Sequence, residues 1–489
     1  MVDAVTSPSS LQAAASGEPP RRVIFDLTTT AMWSGPPVGI VRVESEFGRF
    51  ALGHVEEMVP AFFDPETRAF RHLSRDTAGS LIAQDAAIDT LSFISPARRG
   101  KRKTDRIPAA LRPLALWVLQ ARRVALQALE RLRLRTASAR AAAFADAAQR
   151  VIMNDKYRAI MMKADGSRRA YLPIDLALGA PIDLTGRDTL VCSGAGWAHT
   201  DIEAIAELKR EVGFRFVLFC FDIIPLKFPH YYKQADVAAH RDYCHRAFPA
   251  ADFVVFSSRT VEADVRAYCG AHGLALGRTA VMALGAHIRA PAAAEPLPAG
   301  LERGRYALLV STIEPRKGHR LICDAWLKLF EAGVPQRARF KLAFAGRVGW
   351  MIADLMRDLR GDPRLAGSIA LFTDADDAKV SALYRDAAFC LYPSHYEGYG
   401  LPAVEAFQFG KAVLASTGGA VPEVVGDFSP CLPPDDGEAW RRMLQLWIED
   451  PAARAVYEER IRTSFRHPDW DESARTFFAL VRGAKEEVS

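Results

Sequence analysis

Cysteine pairs, clustered Cys and His ligands and long apolar runs are all missing from this chain. Its seven cysteines, Cys192, Cys220, Cys244, Cys269, Cys323, Cys390 and Cys431, are odd in number, scattered, and form no C-x-x-C. That pattern excludes a disulfide scaffold and fits reduced thiols in a cytosol. No H-E-x-x-H and no cluster of Cys with His occurs, so the pattern supports neither a bound metal nor a metal-dependent mechanism. No stretch reaches the roughly 18 uninterrupted apolar residues of a membrane span. Residues 1–20, rich in Ala, Ser and Pro, lack the basic start and apolar block of a signal peptide and read as a disordered tail.

Net charge is small, with 63 Lys and Arg against 58 Asp and Glu and a balance of +5 over 489 residues. The balance is uneven along the chain. Arg98 to Arg150 holds 14 Lys and Arg against three acids, an excess of +11, which leaves the remainder at +5 − 11 = −6. Such a localised block calls for a partner or a solvated face. Pro108 to Arg150 is rich in Ala, Leu and Arg, with Leu116, Leu119, Val124, Leu126, Leu129, Leu132 and Leu134 at helical spacing. One or two helices inserted at about 96–150 are expected, preceded by an R-R-G-K-R-K loop. A solvated hairpin covering its own domain is the first reading, and an anionic membrane surface contacted through residues 98–150 is the second. Nucleic acid is not expected as a partner, because no reading motif accompanies the charge.

A chain of this length exceeds one ordinary core, so two domains are expected. From Arg305 onward apolar strands alternate with helices: Y-A-L-L-V-S-T, F-K-L-A-F-A-G, S-I-A-L-F-T, A-A-F-C-L-Y-P and A-V-L-A-S-T, with helical segments between them. Continuous apolar strands in repeated βα order predict a buried parallel sheet. Upstream, R-V-I-F-D-L, T-L-V-C-S-G, R-F-V-L-F-C-F-D and A-D-F-V-V-F-S-S predict a second α/β unit. The expected boundaries are a first domain over 21–290, a Pro- and Ala-rich linker over 291–300 and a second domain over 301–466. Two doubly wound domains facing one another would place an interdomain cleft at the carboxyl ends of their strands.

Chemistry concentrates in S-H-Y-E-G-Y-G-L-P-A-V-E-A-F-Q-F-G-K. Pro402 suits a first helical turn, and Gly410 suits its C-terminal cap. Gly398 and Gly400 let the preceding loop bring backbone N–H groups to an anion at the positive helix end. Glu397 falls on the loop and Glu405 one turn into the helix, so they are not a close carboxylate pair. Carboxylates accept two bonds from vicinal hydroxyls, which suits one to a ribose and the other to a hexose. In S-T-I-E-P-R-K-G-H, Arg316 and Lys317 stand between a strand and a helix, placed to neutralise a diphosphate leaving group. In F-A-G-R-V-G-W, Gly346 ends a further strand at the same expected sheet edge. His199 sits at a strand end, either touching an acceptor or opening a helix without chemistry, while His319 and His395 read as packing or solvent residues.

These features together resemble a retaining glycosyltransferase of family 4, with the GT-B fold of two facing Rossmann-like domains. The resemblance is strongest from Tyr306 to Asp427. It implies that Glu405 binds the donor ribose and Glu397 the transferred sugar, and that Arg316 and Lys317 bind the diphosphate. Gly398, Tyr399, Gly400 and Leu401 would hold phosphate and sugar through backbone N–H groups, with Phe372 and Thr373 beside the nucleobase. W-S-G-P-P-V-G-I-V-R-V-E is similar to the family's glycine loop, placing Gly39 and Ile40 near the donor phosphates with Arg42 and Glu44 following. F-D-I-I-P-L-K-F-P-H-Y-Y is similar to its H-D-x-x-P segment; Phe221 replaces the histidine and Asp222 remains to line the cleft. Residues 467–489 look like the last helix of the fold, which crosses back to the first domain.

The implied activity is transfer of a hexose, mannose among the options, from a nucleoside diphosphate sugar to a saccharide or lipid-linked saccharide, with retention and without cofactor or metal. The implied location is cytoplasmic, with peripheral attachment to the inner face of the plasma membrane as a variant. A nucleotide-sugar epimerase or phosphorylase, or a noncatalytic nucleotide-sugar binding module, are the alternative readings.

Overall fold

Strands that are apolar throughout need helices on both faces, and the computed structural model supplies them. It describes residues 21–33, 35, 38–89, 108, 111–136, 138–153, 155–162, 167–286, 288 and 295–483. The 1–20 tail, the R-R-G-K-R-K segment and residues 291–294 of the linker lie outside the described residues. The chain divides into two compact units: the residues through Phe219 with Asp242–Val254 and Leu276–Arg278, and Cys220–Arg241 with Val255–Ala275 and the residues from Thr279 onward.

The first sheet is built from β1 (Val23–Asp26), β2 (Met58–Asp64) and β3 (Ala69–Leu73), then β6 (Leu178–Pro181), β7 (Thr189–Cys192), β8 (Arg215–Cys220), β9 (Phe253–Phe256) and β10 (Arg278–Val281). Its order is β10-β9-β8-β7-β1-β2-β3-β6, while β4 (Ala86–Ile88) and β5 (Ala170–Leu172) form a separate parallel pair. β1 pairs in parallel with β2 and β7. β3 runs antiparallel to both β2 and β6. This antiparallel edge was not among the predicted strands. The turn signal D-P-E-T between M-V-P-A-F-F and A-F-R-H-L marks its hairpin.

The basic insertion forms two helices, Arg112–Arg135 and Ala139–Ile152, packed on each other. Their anchor is a small core of Leu126, Met153, Tyr157, Met161 and Tyr171.

The second unit carries β11 (Tyr306–Val310), β12 (Lys341–Ala345), β13 (Ile369–Phe372), β14 (Phe389–Tyr392), β15 (Val413–Ser416) and β16 (Cys431–Leu432). All pairings are parallel, in the order β13-β12-β11-β14-β15-β16. Counted from its first strand this is 3-2-1-4-5-6, the order of a dinucleotide-binding fold, and it reverses between β11 and β14. Both faces are covered. Along β11, Ala307 and Leu309 enter a core with Trp326, Phe344 and Trp447, while Tyr306 and Leu308 enter another with Tyr384, Tyr392 and Phe407. Alternation of successive side chains between two cores is what a doubly covered strand requires.

The last helix, Trp470–Arg482, starts at an Asp469 and Glu472 capping box and ends at Gly483. Its Ser473 hydroxyl donates to the Ala283 carbonyl at 2.9 Å within the second unit. Among the described residues, no helix is long and apolar enough to cross a membrane, and no group of three or more His, Cys, Asp or Glu could hold a metal ion.

Candidate functional site

In an open parallel sheet the loops leaving two central strands diverge where the strand order reverses, which opens a crevice at their carboxyl ends. Here those loops are the ones after β11 and β14. The first carries Arg316 and Lys317 in a single turn, Pro315–Lys317, and then Gly318 at φ 74°. A Cβ at Gly318 would lie 2.2 Å from the Pro393 carbonyl oxygen of the second loop, so only glycine lets the two backbones interlock. The His395 N–H seals the junction by donating to the Arg316 carbonyl at 2.8 Å.

This interlock brings the predicted cations onto the predicted carboxylate. Arg316 Nη1 donates to Glu397 Oε2 at 2.8 Å, and Lys317 Nζ to Glu397 Oε1 at 2.6 Å. Arg316 Nη1 also donates to the Tyr396 carbonyl, and Nη2 reaches Glu314 Oε1 at 2.8 Å. Two cations therefore face two carboxylates, and Glu314, Arg316 and Glu397 are all buried. Burial alone would raise the Glu397 carboxyl, but Arg316, Lys317 and the Ser394 hydroxyl override it and hold the group at about 2. Glu314 is pushed up by burial, with Lys317 and Arg316 opposing. Glu397 is thus a fixed anion and no proton donor near neutrality. The Glu314 contribution was missed, although I-E-P-R-K places it two residues from the arginine.

Beyond Glu397 the chain enters the helix Leu401–Gln408, whose cap is Gly400 and which carries Pro402 in its first turn. The Gly398 carbonyl accepts from Ser257 Oγ at 3.1 Å and Ser258 Oγ at 2.9 Å. A Cβ on Gly398 would meet the Phe221 carbonyl oxygen at 2.2 Å, so the F-D-I-I-P segment packs directly on this loop. The side chain of Tyr399 is engaged elsewhere: its hydroxyl accepts from Leu284 N at 3.2 Å and lies 3.3 Å from His467 Nε2. Glu405 is buried one turn into the helix, where Oε2 accepts from the Tyr384 hydroxyl at 3.1 Å.

Asp222 Oδ1 accepts from the Ile224 N–H at 2.9 Å, a local turn bond. The residues that follow wall the Glu397 loop with aromatic rings. Phe228 packs on Tyr396 at 4.9 Å, Tyr231 on His395 at 5.8 Å and Tyr232 on Trp350 at 5.7 Å. Burial raises the Tyr232 hydroxyl, which feels Arg316, Asp222, Glu314 and Glu397. The buried His240 is lowered by burial and raised by Asp222, which places an imidazole in the field of Asp222. Neither Tyr232 nor His240 was singled out from sequence, since each required the fold to bring it there.

Gly346 follows β12, and its N–H donates to the Phe372 carbonyl at 2.9 Å, so these two predicted residues share the sheet edge; Thr373 follows, exposed. His319 is buried against Phe344, and burial lowers its imidazole to about 3. In the first unit, Gly39 caps the helix Ile40–His54 at φ 52°. Arg42 and Glu44 on that helix are buried rather than solvated. Glu44 Oε2 accepts from the Thr30 hydroxyl at 2.6 Å, and burial followed by Asp26 raises Glu44 to about 8. His199 ends the short helix Gly196–His199 after β7, half-buried.

Residues 299–464 match the family model of the Glycosyl transferases group 1. That segment contains Arg316, Lys317, Gly346, Phe372, Glu397 and Glu405. Over 166 residues, 34% of this chain and 42% of the relative, the chain is 31% identical to the O-antigen chain mannosyltransferase B of Escherichia coli. Similarity to the lipopolysaccharide core biosynthesis mannosyltransferase LpcC of Rhizobium leguminosarum bv. viciae is 30% identity over 35% of this chain and 46% of that protein. The phosphatidyl-myo-inositol mannosyltransferase of Mycolicibacterium smegmatis is 33% identical over 36% of this chain and 44% of its own. The chain spans less than half the length of these curated relatives. Among solved structures, Anabaena HepE in complex with UDP superposes with a TM-score of 0.49 at 14% identity, over 95% of this chain and 100% of that one. Sucrose-phosphate synthase from Thermosynechococcus elongatus gives 0.44 at 21% identity, over 60% and 73%.

Proposed function

We propose that this chain is a hexosyltransferase of the GT-B type, moving a hexose from a nucleoside diphosphate sugar to a hydroxyl of a saccharide or lipid-linked saccharide in the cytoplasm. The observation that carries the reading is the buried Glu397 held between Arg316 and Lys317 where the strand order of the second sheet reverses. Mannose is the first donor sugar to try, on the strength of the relatives' names.

As the bond from sugar to diphosphate breaks, negative charge gathers on the leaving oxygens. Arg316, Lys317 and the N–H groups at the start of the Leu401–Gln408 helix supply donors and positive charge without a divalent ion. Glu397, ionised and bonded to both cations, fixes their positions and leaves lone pairs for a sugar hydroxyl. Glu405, steadied by Tyr384, takes the ribose. A carboxylate held at about 2 is a poor general base. In this reading the departing phosphate oxygen takes the acceptor proton on the same face, with retention at the anomeric carbon.

The test is turnover across a panel of nucleoside diphosphate sugars, with and without a saccharide acceptor and with and without chelator, for the wild type and Glu397→Gln. Acceptor-dependent sugar transfer that survives chelator and falls in the variant is expected. Turnover that needs inorganic phosphate or no acceptor would make the chain a phosphorylase or epimerase. Donor binding without product from any acceptor would make it a binding module, and loss in chelator would overturn the metal-free step.

A further inference from the structure

A surface helix of a globular protein ordinarily turns its apolar stripe inward and its charges outward. The helix Arg112–Arg135 does the reverse. Its inward side is polar: Arg123 Nε donates to Asp89 Oδ2 at 3.0 Å, and Gln127 donates to the same carboxylate. One turn on, the fully buried Glu130 accepts from Arg133, from Arg168 at 2.7 Å and from the Tyr171 N–H at 3.1 Å. Among the described residues of this helix, only Leu126 adds a buried apolar side chain on this side. The outward side carries Leu114, Trp117, Val118, Val124 and Leu132 at helical spacing, all exposed, with Trp117 at 68%. The second helix repeats the pattern, with Ala145 and Gln149 inward and Phe144 and Val151 outward, exposed by 67% and 85%.

Charge is sorted in the same way. The two acids between residues 111 and 153 are Glu130, which is buried, and Asp146, which is bonded to Arg150 at 3.0 Å and to Arg168. Arg135, Arg140 and Arg150 are exposed beside the apolar rows. Large apolar side chains, a tryptophan among them, flanked by guanidiniums and lacking free carboxylates, suit the headgroup layer of an anionic bilayer. Among the described residues, the carboxylates at the hairpin, Glu130, Asp146 and Asp175, are already bonded to its arginines or to Arg168, so a second copy of the same face would bring like charges together. We propose that the outward face of this hairpin docks on an anionic lipid surface, the helices lying in the interface rather than crossing it. The proposal is independent of the reading of the Glu397 site.

The test is co-sedimentation of the full chain with phosphatidylcholine vesicles that contain or lack phosphatidylglycerol. Binding should rise about tenfold or more with phosphatidylglycerol and weaken in high salt. Trp117→Glu combined with Val124→Glu should abolish it while leaving the thermal transition and donor binding unchanged, since both side chains are exposed. Arg135→Gln with Arg140→Gln should lower only the preference for the anionic vesicles, which keeps the test decisive if the first variant folds poorly. Equal binding to both vesicle types, or unaltered binding by both variants, overturns the proposal. So does a wild-type dimer in light scattering that the Trp117 and Val124 variant dissociates, which would assign the face to a second copy.

Discussion

Arg316 and Glu397 lie 81 positions apart and meet at 2.8 Å, because β11 and β14 are neighbours in a sheet whose order reverses between them. Neither residue has its charge to itself: Glu314 shares the arginine and Lys317 shares the carboxylate.

Glu397→Gln removes the anion while keeping the shape. It leaves Lys317 without its carboxylate and Arg316 with one carboxylate where it had two. Losing a partner from a buried ion pair costs about 3 kcal/mol or more. The expected outcome is a lower thermal midpoint together with a fall in kcat of about 100-fold or more, the scale of losing one donor that stabilises developing charge. Turnover unchanged in a folded variant would remove Glu397 from the chemistry.

Arg316→Lys conserves charge but not geometry. The guanidinium bridges Glu314 and Glu397 through separate nitrogens and also serves the Tyr396 carbonyl, and a single ammonium does not span all three. Activity should drop nearly as far as in Arg316→Ala, measured as kcat/KM on the donor that turns over, whereas Lys317→Arg should be tolerated better.

Gly318→Ala tests the interlock of the two loops. The added Cβ would collide with the Pro393 carbonyl and would sit at φ 74°, where side chains are strained by about 1 kcal/mol or more. Loss of activity with a smaller loss of stability is expected, read from turnover and a denaturant midpoint. An unaltered variant would show that the loops adjust independently.

Acid and alkaline limbs of stability should respond to different glutamates. Glu397 is held at about 2 against an ordinary 4.5, so its stabilising contribution is complete above 4.5 and is lost as pH falls from there toward 2. Glu44 has the opposite sign: raised to about 8, it favours the folded state fully below 4.5 and progressively less as pH rises to 8. The thermal midpoint of Glu44→Gln should therefore pull ahead of the wild type between pH 5 and pH 9. A constant offset across that range would contradict a buried protonated Glu44.

The strands of the second unit were legible from pattern alone. Y-A-L-L-V, L-A-F-A and A-A-F-C-L-Y are apolar at every position, and a strand covered on both faces leaves that signature. The antiparallel β2–β3–β6 edge was not read, although its D-P-E-T turn was present, because βαβ alternation was expected there too. In the site, Arg316, Lys317, Glu397 and Glu405 stood out through their glycine and proline neighbours. Glu314 was overlooked beside two cations, Tyr232 stood at the end of F-D-I-I-P-L-K-F-P-H-Y-Y without being singled out, and His240 carries no local signal. The exposure of Trp117 and Val124 was likewise hidden, since helical periodicity marks a stripe without saying which way it faces.

Sequence by itself determined which segments of the second unit become strands, where the Leu401–Gln408 helix begins, and which residue types could meet a diphosphate and a sugar. These depend on local propensity, on backbone conformations open to glycine and proline, and on side-chain chemistry. Only the tertiary structure decided that the two cations are bound to Glu397 rather than free, that Glu44 is buried, and that the insertion helix wears its apolar side outward. Those outcomes depend on strand order and on long-range desolvation, and neither is encoded within a local window of residues.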